Sequence, residues 1–307
     1  MNRLRVIFAG TPEFAAPSLR ALLDDPAIDV CAVYTQPDRP AGRGRKLAMS
    51  PVKQLAIANE RPIRQPQTFN DASAIHEFKA LEAELLIVAA YGLILPVAAL
   101  SAVRYPLNVH ASLLPRWRGA APIQRAIMAG DTETGISIMR VVEKLDAGPV
   151  WLTRACTISD NETGGSLHDK LADLGAITLI EAIQCYRDGA INEMPQKENL
   201  VTYAEKVTAS DRDIDWRNSA TVIDRRIRAL IPQPGARFRL HEQSVKIIEG
   251  YPTARSADAQ PGTALRADAE GLVFQTGDGT YTITRLQPPG KTPMTAAAFV
   301  NGYGKLL

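Results

Sequence analysis

The sequence has few of the residues that disulfide, redox or metal chemistry requires. Only three of its 307 residues are cysteines, and none of them forms a C-x-x-C pair. All three lie in apolar stretches, so we interpret them as small buried hydrophobic residues in a reducing compartment: Cys31, Cys156 and Cys185. The four histidines are spread too widely along the chain to share an ion, which argues against a metal site.

Membrane-spanning and secretory patterns are also missing. No apolar run reaches the ~20 residues of a transmembrane helix. Residues 1–10 go directly into a short strand pattern and lack the apolar core of a signal peptide. Together with the cysteine usage, these absences predict a cytoplasmic protein without a membrane partner.

The charge of the chain is nearly balanced, and it therefore excludes few classes of protein or partner. The formal net charge is +2, which is too small to imply a partner. Residues 207–307 are mildly basic, with 13 Lys and Arg against 10 Asp and Glu, and this fits a polyanionic partner. A solvated surface of mixed charge explains the same numbers equally well.

Alternating strand and helix patterns in the N-terminal part predict a doubly wound, mainly parallel α/β domain. Residues 3–9 have a strand pattern, 13–23 a helix pattern and 28–35 a second strand pattern. Residues 85–90 form a continuous apolar run, which is typical of a parallel strand covered on both faces. The loop after the first strand lacks the three glycines of a dinucleotide-binding fingerprint, which argues against an NAD(P) site.

The composition changes near Gly189, after a long amphipathic helix pattern. Residues 190–206 have the pattern of an extended linker. Residues 207–307 contain a short basic helix and then short alternating strands between Gly, Pro and Asp turns, which predicts a small antiparallel barrel or sandwich. We therefore predict a domain over residues 1–189, a linker over 190–206 and a second domain over 207–307.

A loop rich in Pro and Gly covers residues 36–46, and its composition argues against helix or strand. The loop contains one acidic residue, Asp38, and four cations: Arg39, Arg43, Arg45 and Lys46. A flexible loop with four cations can grip phosphates. A solvated surface loop is an equally good interpretation.

Asn108 and His110 stand at the end of a predicted strand, ahead of a loop rich in Gly and Pro. Residues two apart on a strand point to the same face, so an amide and an imidazole project side by side. Asp146 lies in a later turn, and nothing in the spacing connects it to this pair. From the residues alone, a structural role is the commoner explanation of such a pair at a strand end.

The chemistry that these three residue types could perform is direct acyl transfer. The sequence contains no phosphate-binding loop, no H-E-x-x-H and no G-x-S-x-G. Without a Ser or Cys nucleophile, the attacking group is the substrate's own amine. An Asn NH₂ and a His N–H can donate hydrogen bonds to the oxyanion of the tetrahedral intermediate. A carboxylate can orient the His or accept the amine proton through a water.

Residues 108–124, Asn-Val-His-Ala-Ser-Leu-Leu-Pro-Arg-Trp-Arg-Gly-Ala-Ala-Pro-Ile-Gln, resemble the signature of the folate-dependent formyltransferases. Further stretches resemble the members of that family that act on initiator methionyl-tRNA: residues 8–14, 35–44, 90–96, 145–148 and 200–206. The resemblance implies a Rossmann-like N-terminal domain, an OB-like C-terminal barrel, and 10-formyltetrahydrofolate as the formyl donor without a metal.

The resemblance also implies roles for individual residues. It implies that the catalytic trio is Asn108, His110 and Asp146. It implies a folate site formed by two segments: Ser112, Leu113, Leu114 and Pro115, with Tyr91, Gly92 and Leu93. The cations Arg39, Arg43, Arg45 and Lys46 would contact the acceptor end of the initiator methionyl-tRNA, and we expect a monomeric enzyme that supports translation initiation.

Two positions depart from the family pattern. Residues 231–235 stand where the family often has an Asn-Pro-Trp-Pro run, and Lys144 adds a charge two residues before Asp146. Three alternative functions stay open. A formyltransferase for a nucleotide-sugar amine would share the trio but lack the basic loop and the barrel. A non-enzymatic RNA-binding protein would have no use for the trio, and a hydrolase would use water in place of the amine.

Overall fold

A computed structural model describes residues 3–41, 46–69 and 71–303. Contacts within the chain divide it into two compact units. The first comprises residues 1–122, 133–157 and 168–204, and the second comprises residues 123–132, 158–167 and 205–307. The boundaries that we drew at residues 189 and 206 stay a prediction.

The first unit is built on a seven-stranded sheet with the order β10-β9-β7-β6-β1-β2-β5. Its strands are β1 (Leu4–Gly10), β2 (Ile28–Tyr34), β5 (Ile63–Arg64), β6 (Leu85–Ala89), β7 (Tyr105–His110), β9 (Glu133–Arg140) and β10 (Val150–Thr157). Neighbours from β7 through β5 are parallel, whereas β9 pairs antiparallel with β7 and with β10. The prediction of a mainly parallel, doubly wound sheet is confirmed.

The apolar runs explain why this sheet is central. In β1, Val6, Ile7 and Phe8 are fully buried, as are most side chains of β6, because helices cover both faces of a parallel sheet. The strand order reverses between β1 and β6, since β2 and β5 continue from one side and β7 from the other. In open α/β sheets, ligands bind outside the carboxyl ends of the strands at such a point.

Two short ribbons complete the strands of the first unit. One pairs β3 (Arg39–Ala41) antiparallel with β4 (Lys46–Ala48), and the other pairs β8 (Arg118–Gly119) parallel with β11 (Tyr203–Ala204). The prediction that residues 36–46 contain no strand is therefore wrong at both ends of that segment. A two-stranded ribbon has only edge strands, where Pro40 is tolerated because no ladder hydrogen bond from it is required.

Eight α-helices flank the strands of the described residues. They are α1 (Ala16–Asp24), α2 (Pro51–Ala58), α3 (Ala72–Lys79), α4 (Val97–Leu100), α5 (Pro122–Ala129), α6 (Gly164–Arg187), α7 (Ala220–Ala229) and α8 (Ala296–Tyr303). Ser50 caps α2 by accepting from the Lys53 N–H, and Pro51 fills the first helical position, where a missing N–H costs nothing. Across the described segments, no helix has the length and apolar character that a membrane crossing needs.

The second unit contains a curled antiparallel sheet with the order β12-β13-β16-β15-β14, and β17 also pairs with β16. Its strands are β12 (Arg237–Leu240), β13 (Gln243–Thr253), β14 (Ala264–Ala267), β15 (Leu272–Gln275), β16 (Thr280–Gln287) and β17 (Met294–Thr295). Register shifts near Glu249 bend β13, as bulges do in closed or curled sheets. Ile223 and Ile227 of α7 fill the core beside Phe238, which agrees with the predicted OB-like barrel.

Asp211 anchors Arg125 within the second unit. Its carboxylate accepts from Arg125 Nη1 at 2.8 Å and Nη2 at 3.0 Å, and from the Thr208 N–H at 2.8 Å. The hydrogen bond from Arg125 is the largest cause that holds the pKa of Asp211 far below its usual value. Because the folded-state pKa is depressed, this stabilisation is complete above the unfolded pKa of about 4 and is lost as pH falls toward the folded value.

Asp211→Asn is therefore expected to lower the free energy of unfolding by about 2 kcal/mol at pH 7. The deficit should shrink by about 1 kcal/mol at pH 3, because the Asp211 carboxyl of the unfolded wild-type chain is then mostly protonated while that of the folded protein stays ionised. Urea denaturation of both proteins at the two pH values measures this difference. Asp258→Asn, at an exposed position, is the matched control. A deficit that does not change with pH would mean that the ion pair is not its source.

Candidate active site

The candidate site begins at the end of β7, where Asn108 and His110 lie on one face. In the sheet, Asn108 is paired with Val88 of β6 and Met139 of β9, and His110 with Ser137. His110 is 5% exposed, whereas Asn108 is half-buried. Within the described ranges, the Asn108 amide makes no hydrogen bond to protein, so its NH₂ donors are available to a ligand.

The two ring nitrogens of His110 face different groups. Nε2 lies 3.0 Å from the carbonyl oxygen of Trp117. A carbonyl only accepts, so Nε2 carries a hydrogen and donates it. Nδ1 lies 3.7 Å from Oδ2 of Asp146, which is close for two groups of opposite potential charge but beyond hydrogen-bond distance. The imidazole is thus oriented by a backbone carbonyl on one side and a carboxylate on the other.

Asp146 lies in the turn between β9 and β10, which folds back over the face of β7 that carries His110. Its side chain is 12% exposed, and Oδ2 accepts from the Gly119 N–H at 2.8 Å. The turn is tight, because a Cβ on Gly148 would lie 1.9 Å from the Arg140 carbonyl oxygen. The structure therefore brings Asp146 to His110, a contact that sequence spacing did not indicate.

Three residues around the site have a left-handed backbone that is unusual outside glycine. They are Ala90 at φ 45°, Trp117 at φ 63° and Asp146 at φ 47°. Such conformations cost about 1–3 kcal/mol each and persist where the surroundings hold them. At Trp117 the turn points the carbonyl to His110, and at Asp146 it points the carboxylate to the same ring. At Trp117 and Asp146 the left-handed backbone thus orients the two groups that face the imidazole.

The loop after His110 is fixed against β9. Ser137 Oγ donates to the Ser112 carbonyl at 2.7 Å and accepts from the Leu114 N–H at 3.0 Å. The Ser112 side chain is fully buried and donates to the Arg116 carbonyl at 2.6 Å, so its hydroxyl is committed to the loop itself. Leu113, Leu114 and Pro115 are half-buried, and they are the members of this predicted folate segment that can present apolar surface.

The second predicted folate segment borders a cavity of about 380 Å³ outside the ends of β1 and β6. Tyr91 and Gly92 line it together with Thr11, Gln36 and Met49 among others. Tyr91 is 2% exposed, and Thr11 Oγ1 donates to its carbonyl at 2.9 Å. Burial raises the pKa of the Tyr91 phenol. Leu93, in contrast, packs against the core beside this cavity.

The predicted tRNA-contacting cations are described only in part. Arg39 is exposed, donates from Nη2 to Gln36 Oε1 at 2.8 Å and lines the same cavity. Arg43, Arg45 and the side chain of Lys46 lie outside the described residues. In the segments that are described, no group of three or more His, Cys, Asp or Glu side chains is arranged to hold a metal ion.

Sequence reasoning missed several residues that surround Asp146. Gln196 donates to the carbonyls of Asp146 and Gly148, and Arg118 donates to Gln196. The β8–β11 ribbon, which joins residues 118–119 to residues 203–204, was also missed. Residues 190–206 have the composition of a linker, and no periodicity in them indicated that they approach the site.

Known proteins resemble this chain over nearly its whole length. The family model described as formyl transferase matches residues 2–183, and that described as formyl transferase, C-terminal domain, matches residues 206–304. A protein of Methylococcus capsulatus named methionyl-tRNA formyltransferase is 48% identical over 98% of this chain and 97% of its own length. A protein of the same name from Pseudomonas putida is 47% identical over 97% and 96%.

Solved structures show the same fold at low identity. HypX from Aquifex aeolicus in complex with tetrahydrofolic acid aligns with a TM-score of 0.64 and 19% identity. The alignment covers 100% of this chain and 48% of HypX, so the chain spans about half the length of that protein. An N-formyltransferase from Helicobacter canadensis, in complex with folinic acid and dTDP-3-aminofucose, aligns with a TM-score of 0.67 and 16% identity over 94% and 100%.

Proposed function

Because this chain belongs to the formyl transferase family, we propose that it transfers the formyl group of 10-formyltetrahydrofolate to the α-amino group of initiator methionyl-tRNA. It is an enzyme of one-carbon transfer, and its acceptor places it in translation initiation. The observation that carries the proposal is the 48% identity over 98% of the chain to a protein named methionyl-tRNA formyltransferase. We also propose that it acts as a cytoplasmic monomer.

The catalytic step that we propose is direct attack of the methionyl amine on the formyl carbon. The new C–N bond forms as the carbonyl oxygen becomes an oxyanion. The bond between the formyl carbon and N10 of the folate then breaks, and N10 takes up a proton. No acyl-enzyme is needed, which agrees with the buried Ser112 hydroxyl being committed to the Arg116 carbonyl.

Asn108 is proposed as the principal donor to the oxyanion. Its amide is free of protein partners within the part of the chain that the structure describes, and a preorganised donor is most effective when charge develops in a water-excluded site. The Nε2 hydrogen of His110 is engaged with the Trp117 carbonyl. For His110 to join Asn108 as a donor, the ring would turn away from Trp117 as the substrate enters.

Asp146 and His110 are proposed to carry the proton that leaves the amine. The carboxylate lies 3.7 Å from His110 Nδ1, a separation that a small ring rotation or one bridging water spans. Proton transfer between positioned groups contributes about 10²–10⁴-fold to rate. The proton removed from the amine is the one that N10 requires, so the pair would shuttle it and return to its initial state.

The donor and acceptor would approach the trio from different segments. The folate is proposed to lie against Leu113, Leu114 and Pro115 and the segment from Tyr91 to Leu93. The tRNA acceptor end is proposed to contact Arg39, with Arg43, Arg45 and Lys46 as further phosphate contacts of the same loop. The OB-like unit, with its excess of cations, is proposed as a second tRNA-binding surface.

A nucleotide-sugar amine is the second candidate acceptor, because the Helicobacter canadensis protein has the same fold. At 16% identity that likeness concerns the fold alone. An assay with 10-formyltetrahydrofolate labelled in the formyl group separates the candidates when methionyl-tRNA, a nucleotide-sugar amine and water are compared as acceptors. We expect methionyl-tRNA to be preferred by about 10²-fold or more in kcat/KM. Preference for the sugar amine would overturn the acceptor assignment, and release of formate alone would indicate a hydrolase.

A further inference from the structure

Residues 196–204 are bound to the loop that carries Trp117. The Thr202 carbonyl accepts from the Arg118 N–H at 2.9 Å, and Thr202 Oγ1 accepts from the Trp117 N–H at 2.9 Å. The Ala204 carbonyl accepts from the Ala120 N–H at 2.9 Å. A Cβ on Gly119 would lie 2.7 Å from that carbonyl, so glycine is required for this approach. The segment after α6 is thus part of the wall of the candidate site.

Gln196 connects this segment to the turn that contains Asp146. Its Nε2 donates to the Asp146 carbonyl at 2.8 Å and to the Gly148 carbonyl at 2.7 Å. Its Oε1 accepts from Arg118 Nε at 2.9 Å. The orientation of the amide is unambiguous, because a flipped amide would face two carbonyls with its oxygen and a guanidinium with its NH₂. Both hydrogens and the oxygen of the amide therefore have partners.

Arg118 holds Gln196 from the other side. The guanidinium is completely buried, and its Nη2 donates to Glu198 Oε1 at 2.9 Å. Lys144, from the turn of Asp146, donates to the other oxygen of Glu198 at 3.2 Å. The hydrogen bonds from Arg118 and then Lys144 lower the pKa of Glu198. The turn is therefore connected to residues 196–198 at two places, through Gln196 and through the ion pair of Lys144 with Glu198.

We propose that Gln196 is a positioning residue, which holds the turn so that the Asp146 carboxylate faces His110. Asp146 has φ 47°. This left-handed conformation is less stable than an extended or helical one, so it persists only where the surrounding contacts hold it. Gln196 donates to the carbonyl of Asp146 and to that of Gly148, two positions later. These two carbonyls belong to the part of the turn that sets the direction of the Asp146 side chain. This inference rests on the proposed function, because it concerns the same proton-transfer pair.

Gln196→Ala is expected to lower kcat for methionyl-tRNA formylation by about 10- to 100-fold, as small displacements of catalytic groups do. KM for the folate donor should stay within about 3-fold, since Gln196 contacts the turn and not the predicted folate segments. Gln196→Glu has the same size and keeps an acceptor for Arg118, but it turns an oxygen toward two carbonyls. It should therefore be impaired at least as strongly. Lys197→Ala, at the exposed neighbouring position, should match wild type.

A double-mutant cycle with Asp146→Asn distinguishes positioning from a general structural role. If Gln196 acts through Asp146, Gln196→Ala should cost less than about 3-fold further in the Asp146→Asn background. Fully multiplicative losses, or a kcat for both Gln196 variants within 2-fold of wild type, would overturn the proposal. Thermal melting checks folding, and if Gln196→Ala melts early, the isosteric Gln196→Glu decides. Failure of the wild-type enzyme to formylate methionyl-tRNA would instead overturn the proposed function.

Discussion

His110→Ala is expected to lower kcat by about 10²–10⁴-fold, the range for loss of a general acid–base group. The imidazole is 5% exposed and oriented by the Trp117 carbonyl and Asp146, so the substitution removes a preorganised group. Asp146→Asn is expected to fall in the same range. It keeps the size of the side chain and removes the negative charge that faces Nδ1.

The two losses should not multiply. Groups that act on one proton form a unit, and removal of the second after the first costs little more. Single-turnover formylation of methionyl-tRNA by the two single variants and the double variant tests this. His76→Ala changes an exposed histidine of α3 and serves as the control. Single variants that fold and retain activity within a few-fold of wild type would remove His110 and Asp146 from the chemistry.

Asn108→Ala is expected to lower kcat by about 10²–10³-fold, as loss of one oxyanion donor does. The reason is that the amide has no protein partner in the described residues and lies on the same strand face as His110. Asn108→Asp should be at least as damaging, because a carboxylate at this position has no hydrogen to donate and repels the oxyanion. The expected signature is an equal fall in kcat and kcat/KM.

Steady-state kinetics with both substrates varied measures this signature. Asn301→Ala, at an exposed position of α8, is the matched control. An Asn108→Ala variant with unchanged kcat and a raised KM would show that the amide positions substrate in the ground state. That result would leave His110 and Asp146 in their proposed roles and remove Asn108 from oxyanion stabilisation.

Local sequence patterns were sufficient for most of the framework. The continuous apolar run of residues 85–90 predicted a strand buried on both faces, and β6 is buried in this way. The short alternating strands after residue 235 predicted the antiparallel sheet of the second unit. These predictions succeed because burial on one or two faces leaves a period in the sequence that does not depend on distant residues.

Segments with irregular backbone have no such period in their sequence, so their structure was not predicted. The β3–β4 ribbon escaped prediction because the two prolines and two glycines of residues 36–46 argue against regular structure, although backbone pairing alone is enough to form it. The β8–β11 ribbon joins segments more than 80 residues apart through two pairs of residues. Positive φ at Trp117 and Asp146 was equally hidden, because it leaves no period in the sequence and the surrounding contacts impose it.

The sequence alone predicted the main strands and helices of both units, the residue types that suit acyl transfer to an amine, and, by resemblance, the family. It placed Asn108 and His110 on one strand face because the period of a strand is two residues. Only the tertiary structure decided that Asp146 faces His110 at 3.7 Å and that Gln196 holds its turn. Those contacts depend on how the turn folds back over the sheet. Long-range hydrogen bonds determine the path of the turn, and local sequence periodicity carries no information about that path.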